Sequence, residues 1–254
     1  MPITEIFPNP TVKQVIFQIR FPNLFYIESK IGDLQVEIMN TFPESSLSFQ
    51  QPLVIANLGP NAKIEDISEK LGSDQIKKIW SFSSPKNYAL NILSDSLDIT
   101  SQFHKTYNNE SSENKFRDVI ELVLEKFFGI MKLPVITRVG LRYVDECPLP
   151  SKDTATYLSY YNTAFNIEKY PLEDATEMDF KTVISKGTNS IRYVESLQKK
   201  GENYVAVLDF DAFSKNVKPI ECLQVTDELH TIVIEEFSRT IKAPVYDFMR
   251  RRQE

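Results

Sequence analysis

Two segments with the composition of β-strands constrain the fold of this chain more than any other feature of its sequence. Residues 14–21 (QVIFQIRF) lie between Pro10 and Pro22, and residues 135–145 (VITRVGLRYVD) follow Pro134. Both are rich in β-branched and aromatic residues, which strands favour. Alternate side chains of a strand point to opposite faces, and one face of each segment is apolar: Val15, Phe17, Ile19 and Phe21 in the first, and Val139, Leu141 and Tyr143 in the second. This pattern predicts a fold organised around β-sheet.

The same order of elements is expected after each of these strands: a helix, three strands and a second helix. Apolar periodicity predicts helices at residues 27–42, 116–127, 154–162 and 225–241, and strands at 14–21, 53–56, 78–83, 88–93, 97–103, 135–145, 178–185, 191–197 and 204–210. We therefore expect an α+β fold of two similar halves, residues 1–130 and 131–254, packed as one unit, with mainly antiparallel sheets backed by long helices. The halves do not align residue by residue, so an internal duplication is a hypothesis about topology.

Glycine and histidine counts exclude several classes of site. The chain has seven glycines, and no two lie closer than eleven residues. Glycine-rich loops that hold a phosphate need glycines within a few residues of each other, so the dinucleotide and P-loop motifs are excluded. The two histidines, His104 and His230, are too far apart for a local His-pair metal motif. We expect no cofactor.

Charge and cysteine content indicate a cytoplasmic protein. The formal net charge is −6, which argues against binding polyanions over the whole surface. No apolar run approaches the roughly 18 residues of a membrane span, and the first residues lack the features of a secretory signal. The two cysteines, Cys147 and Cys222, are isolated, and we expect them to be free thiols in a reducing compartment.

The polar faces of the two lead strands are the best candidate for a binding surface. The side chains that define this surface come from both strands: Gln18, Arg20, Arg138, Gly140 and Arg142. Arginine grips phosphate or carboxylate through two parallel hydrogen bonds. Gly140, between two arginines, would let a ligand or another backbone approach closely. The alternative interpretation is an ordinary solvated sheet face, or arginines paired with the carboxylates of the chain itself.

Other residues support an enzymatic alternative. Asp209 and Asp211 are two apart near a strand end, so both carboxylates face the same way. They would hold Mg²⁺ in a phosphoryl-transfer or nuclease-like enzyme, with Arg138 and Arg142 clamping the phosphate. His104 as a general base and Cys147 as a nucleophile are further candidates, for which a structural role is the alternative.

Three stretches of the chain resemble a family of uncharacterised prokaryotic proteins of similar length, sporadically distributed among bacteria and archaea. They are PNPTVKQVIFQIRFP at residues 8–22, RVGLRYVDE at 138–146 and LHTIVIEEF at 229–237. The resemblance carries no catalytic residue or cofactor over to this chain. The sporadic distribution implies a horizontally moved trait, such as a defence or toxin–antitoxin system. Triphosphate-tunnel enzymes do not fit, because their alternating E-x-E-x-K strand is missing.

The sequence as a whole predicts a binding or interaction protein rather than an enzyme. We expect a protein partner or a second copy of the chain, through a sheet edge or a helix face. Nucleic acid or a nucleotide is a weaker alternative, based on aromatic residues near basic ones in the predicted hairpins. We expect no membrane partner.

Overall fold

The computed structural model describes residues 5–50, 77–167 and 169–252, and within them one antiparallel sheet of nine strands dominates the fold. The strands are β1 (Val12–Arg20), β2 (Glu44–Gln50), β3 (Lys77–Ser84), β4 (Tyr88–Ile92), β5 (Ser96–Ser101), β6 (Ile136–Leu149), β7 (Asp179–Lys186), β8 (Asn189–Lys200) and β9 (Asn203–Val217). The helices are α1 (Ile31–Ile38), α2 (Phe116–Ile130), α3 (Thr154–Tyr160), α4 (Cys222–Thr240) and α5 (Ala243–Arg250). Short 3₁₀ turns at Ile27–Lys30 and Pro219–Glu221 precede α1 and α4.

The two lead strands lie side by side at the centre of this sheet. The spatial order is β2-β3-β4-β5-β1-β6-β9-β8-β7. In the β1–β6 pair, Phe17 lies opposite Leu141 and Ile19 opposite Val139. All four of these apolar side chains are fully buried. The strands that carry the most regular apolar alternation therefore occupy the position where one face is most completely covered.

The hydrophobic core lies between one face of the sheet and the helices. Helix α4 packs on β6 and β9, and α1 packs on α2. Fully buried residues of α2 and α4, such as Phe116, Phe127 and Leu229, join the inward residues of β1 and β6 in this core. Polar side chains of the central strands consequently point to the opposite side, which we call the polar face. Within the described ranges, no helix has the length and apolarity needed to cross a membrane.

The predicted fold class, two α+β halves with sheets backed by long helices, is wrong. Strand accounts for about 40% and helix for 29%, and a single sheet runs through both predicted halves. The lead strands pair with each other because each has one apolar face to bury and two edges whose backbone groups need partners. The predicted helix at 27–42 is reduced to a 3₁₀ turn and the eight residues of α1.

Most other elements lie where the apolar pattern places them, with shifted ends. Two elements within the described residues were not predicted: β2, a strand in a segment expected to be a loop, and the C-terminal helix α5. The predicted strand at 53–56 lies outside the described residues. The boundary between residues 130 and 131 stays a prediction.

Candidate functional site

All five residues predicted from the lead strands lie together on the polar face. The β1–β6 register sets Gln18 opposite Gly140 and Arg20 opposite Arg138. Together with residues of β5, β7, β8 and β9 they line one pocket of about 590 Å³. We call it the basic pocket; its other lining residues are Ile16, Asp98, Thr100, Lys181, Val183, Arg192, Asp211 and Phe213.

The sheet curls around the basic pocket. A continuous series of cross-strand pairs connects Thr100 of β5 to Val183 of β7, and the two residues are five strand spacings apart. In a flat sheet they would be roughly 24 Å apart, given about 4.8 Å per strand. A single pocket of this volume is lined by both, so the polar face is concave. The twist inherent in a large antiparallel sheet is the physical source of such curvature.

Arg138 lies flat across the floor of the basic pocket. Its guanidinium donates to Asp211 Oδ1 at 2.6 Å and to Gln18 Oε1 at 3.4 Å, and its carbon lies 4.9 Å from the centre of the Phe213 ring. A Cβ atom on Gly140 would lie only 2.2 Å from a terminal nitrogen of Arg138. The space above Gly140, expected to admit a ligand or another backbone, is therefore filled by the Arg138 guanidinium.

Arg142 is paired with a carboxylate of the chain itself. Its Nε and one terminal nitrogen donate to both oxygens of Asp209, at 2.7 and 2.6 Å. This hydrogen-bonded pairing raises the pKa of Arg142 above its usual range. The alternative interpretation, that the arginines pair with carboxylates of the chain, therefore holds for Arg142. It holds in part for Arg138, which binds both Asp211 and the neutral Gln18.

The two aspartates face the same way, as their spacing predicts, but both are occupied by arginine. Asp209 binds Arg142, and Asp211 binds Arg138 and, at 3.3 Å, Arg192. A divalent cation would have to compete with these guanidinium groups for the same oxygens. In the part of the chain that the structure describes, no three His, Cys, Asp or Glu side chains are grouped so that they could hold a metal ion. The geometry does not favour the metal site.

Arg192 and Lys181 complete the site, and neither was predicted from the sequence. Arg192 Nε is buried and has no hydrogen-bond partner among the described residues. Lys181 makes no ion pair within the same ranges, and Arg20 binds only the neutral Gln18. Arg192 lies between two apolar residues, Ile191 and Tyr193, which are both buried on the core side. This alternation of apolar and polar residues was the sequence signal that could have placed Arg192 on the polar face.

The basic pocket carries a positive surplus in an acidic protein. Five cationic side chains lie in or against it: Arg20, Arg138, Arg142, Lys181 and Arg192. Three of them, Arg138, Arg142 and Arg192, have carboxylate partners. The carboxyl groups are Asp98, Asp209 and Asp211, which leaves a formal surplus of 5 − 3 = +2. Burial raises the pKa of Asp98, which accepts a hydrogen bond from Asn91, and protonation there would increase the surplus.

The remaining candidates lie elsewhere. His104 is buried among the rings of Tyr88, Phe103 and Phe116, with Nδ1 2.8 Å from Ser101 Oγ. Burial lowers the pKa of His104 to about 4. Cys147 is fully buried on the core side of β6, where burial raises the pKa of its thiol. Neither residue lines the basic pocket.

No protein-family model matches the chain, and no curated protein sequence matches it significantly. The resemblance to the sporadically distributed prokaryotic family therefore stays a prediction, and the function is argued from the geometry of the site.

Proposed function

We propose that this protein is a binding protein whose basic pocket takes a small molecule bearing an oxyanion of the phosphate class. The observation that carries the proposal is the unpaired cationic capacity of that pocket. Arg192 has a buried Nε without an acceptor, and Lys181 and Arg20 have no carboxylate partner among the described residues. A buried donor left unpaired costs free energy that an acceptor from a ligand would recover.

The paired arginines prepare the pocket for such a ligand. Asp211 lies between Arg138 and Arg192 and orients both guanidinium groups. Guanidinium groups held in fixed positions lose less conformational freedom when they bind a ligand, which favours affinity. Asp211 thus has the place of a carboxylate that positions the cations, and the ligand would add acceptors on their remaining N–H groups.

The size and the apolar walls of the pocket favour a small molecule. Its volume, about 590 Å³, falls within the range of small-molecule sites. Ile16, Val183 and Phe213 provide apolar contact beside the cations. A phosphate ester with a compact organic group, such as a mononucleotide, would use both parts of the surface.

Catalysis has weaker support than binding. Neither histidine nor cysteine lines the basic pocket, and Asp211 is held by two arginines. The metal-dependent enzyme needs Asp209 and Asp211 free, and both are paired. A protein partner, a homodimer, a defence-related role and a cytoplasmic location remain parts of the hypothesis that rest on the sequence.

Isothermal titration calorimetry with inorganic phosphate, pyrophosphate, adenosine monophosphate and citrate tests the proposal. We expect pyrophosphate or the nucleotide to bind more tightly than the tricarboxylate. Arg192→Gln and Lys181→Gln should each raise Kd about tenfold or more, since a charge-assisted hydrogen bond contributes about 1.5–3 kcal/mol. Lys199→Gln is the matched control, because it removes one charge from an exposed residue outside the pocket.

Two results would overturn the proposal. The first is the absence of binding by every anion at millimolar concentration. The second is equal binding by the wild type, Arg192→Gln and Lys181→Gln, which would place the anion elsewhere. Tighter binding of citrate than of any phosphate would reject the phosphate class.

A further inference from the structure

A second cavity lies on the helix-covered side of the sheet and is not explained by the proposed anion site. Its volume is about 470 Å³, and β6, α4, and the segment after β5 contribute to its wall. Tyr143 and Asp145 reach it from β6, the strand that sends Arg142 into the basic pocket. We call it the aromatic cavity, because the rings of Phe7, Tyr107, Tyr143, His230 and Phe237 line it.

Three buried polar groups in this cavity have spare hydrogen-bonding capacity. The hydroxyl of Tyr143 and Oγ1 of Thr106 are buried without a partner among the described residues. Asp145, only 5% exposed, accepts from Thr11 Oγ1 at 2.8 Å through one of its oxygens. Buried polar groups in proteins are nearly always hydrogen-bonded. Unsatisfied groups that converge on one cavity therefore indicate a missing polar ligand atom.

Carboxyl groups outnumber cationic groups in the cavity wall, which is the reverse of the basic pocket. The acidic lining residues of the cavity are Glu5, Glu110 and Asp145, and its one basic side chain other than His230 is Lys105. Glu5 is paired with Arg250 at 2.9 Å, and the Lys105 ammonium donates to the carbonyl oxygen of Val12 at 3.0 Å. Glu110 and Asp145 are therefore the carboxyl groups of the wall that can meet a ligand.

The aromatic lining is suited to a cation with an apolar body. Tyr107 stacks on His230 with ring centres 4.2 Å apart, and the Tyr143 ring lies 6.1 Å from the same histidine. Burial lowers the pKa of His230 to about 4, so its ring is neutral near pH 7. Neutral aromatic rings attract cations through their faces and pack against apolar groups.

We propose that the aromatic cavity binds a small organic cation, a primary amine carried on an apolar or aromatic body. Its ammonium would donate to the free oxygen of Asp145 and to the hydroxyls of Tyr143 and Thr106, while its body lies among the rings. The proposal is independent of the anion site, since the two sites lie on opposite faces of the sheet.

Calorimetric titration of the full chain with benzylamine, benzyl alcohol and benzoate tests the proposal directly. These probes share one ring and differ in the charge of the attached group. We expect benzylamine to bind at least about tenfold more tightly than benzyl alcohol, and benzoate to bind least, in line with a charge-assisted hydrogen bond to a buried carboxylate. Equal affinity for the amine and the alcohol would reject the cation, and failure of benzylamine to bind would reject the site.

Two substitutions locate the binding site. Asp145→Asn keeps the shape of the side chain but removes its charge, and we expect it to abolish the preference for the amine over the alcohol. Ile234→Trp places a bulkier side chain at a half-buried position of the cavity wall and should weaken the binding of all three probes. Asp33→Asn, on exposed α1 surface, is the control and should change nothing.

Pyrophosphate binding by the same variants separates the two proposals. Asp145→Asn and Ile234→Trp should retain it, which also shows that they are folded. If Ile234→Trp retains full benzylamine affinity, the amine binds elsewhere and the proposal is wrong. If none of the phosphate-class anions binds the wild type, the anion site is rejected and the amine result still stands.

Discussion

Arg142 and Tyr143 are neighbours in β6, yet their side chains line separate pockets on opposite faces of the sheet. The two-residue repeat of a strand is the reason. Arg142 joins a positively charged surface, and Tyr143 joins a mostly aromatic cavity with acidic groups in its wall. One central strand, β6, therefore contributes to two chemically different pockets, and the sequence indicates only the basic one.

We expect Gly140→Ala to destabilise the protein by about 1–3 kcal/mol, because Arg138 would lose its charge-assisted hydrogen bond to Asp211. The new methyl group would lie 2.2 Å from Arg138 and would displace the guanidinium from Asp211 and the Phe213 ring. Urea unfolding measures the effect. Gly129→Ala is the control, because Gly129 lies in α2 with nothing within 4 Å of an added Cβ. That change should stabilise the helix by up to about 1 kcal/mol. Equal effects at both glycines would contradict the packing argument.

The Arg142–Asp209 pair should show strong energetic coupling. We expect Asp209→Asn alone to cost about 1–3 kcal/mol, because it weakens two hydrogen bonds of a half-buried guanidinium. The double variant with Arg142→Gln should cost less than the sum of the single changes. A double-mutant cycle measures the difference, and the exposed Lys30–Asp33 pair provides a control expected to give at most about 0.5 kcal/mol. A coupling as small as that of the control would mean that Asp209 does not hold Arg142.

The part of the basic pocket that the sequence could predict is the part that follows from the alternation of apolar and polar residues along single strands. The residues of β1 and β6 show which face is polar, because their apolar partners on the other face are regular. The same rule places Asp209 and Asp211 together. It does not show that Asp211 would meet Arg138 and Arg192, because those contacts depend on the register between β6, β9 and β8.

Other features could not be obtained from local patterns at all. Strand β2 (ESSLSFQ) is exposed along its whole length at the edge of the sheet. It has no buried face, and its two alternating apolar residues, Leu47 and Phe49, are too few to predict a strand. The joining of β1 to β6 pairs residues about 120 positions apart, which periodicity does not report. The aromatic cavity combines residues of α4, α5, β1, β6 and two loop segments, and no single one of these segments has a sequence pattern that indicates it.

His104 should make the fold less stable in acid. Its pKa is about 4 in the folded protein because of burial, against about 6.5 in an unfolded chain. The unfolded state therefore binds more protons between these values, and stability is lost as pH falls from 6.5 to 4. This contribution is on the order of 2–3 kcal/mol at pH 4.5. Urea unfolding at pH 7 and pH 4.5 should show a smaller loss for His104→Gln than for the wild type. The same loss in both would contradict the prediction.

Asp145 should have the opposite effect on the pH dependence of stability between about pH 4 and pH 7. Burial raises its folded pKa to about 7, although Thr11, Lys105 and Lys13 lower it in part, and the unfolded value is about 3.9. The folded state then binds more protons, so stability falls as pH rises from about 4 to 7. Asp145→Asn should remove this loss, which is on the order of 3 kcal/mol at pH 7.

Carbon-13 NMR of the Asp145 carboxyl group measures this titration directly. We expect a midpoint near pH 7 in the free protein and a lower midpoint with saturating benzylamine, because a bound cation favours the ionised carboxylate. A midpoint near 4 without ligand would show that water reaches the carboxyl group and that the aromatic cavity is not a low-dielectric site. A midpoint that benzylamine leaves unchanged would separate the amine from Asp145 even if the amine binds.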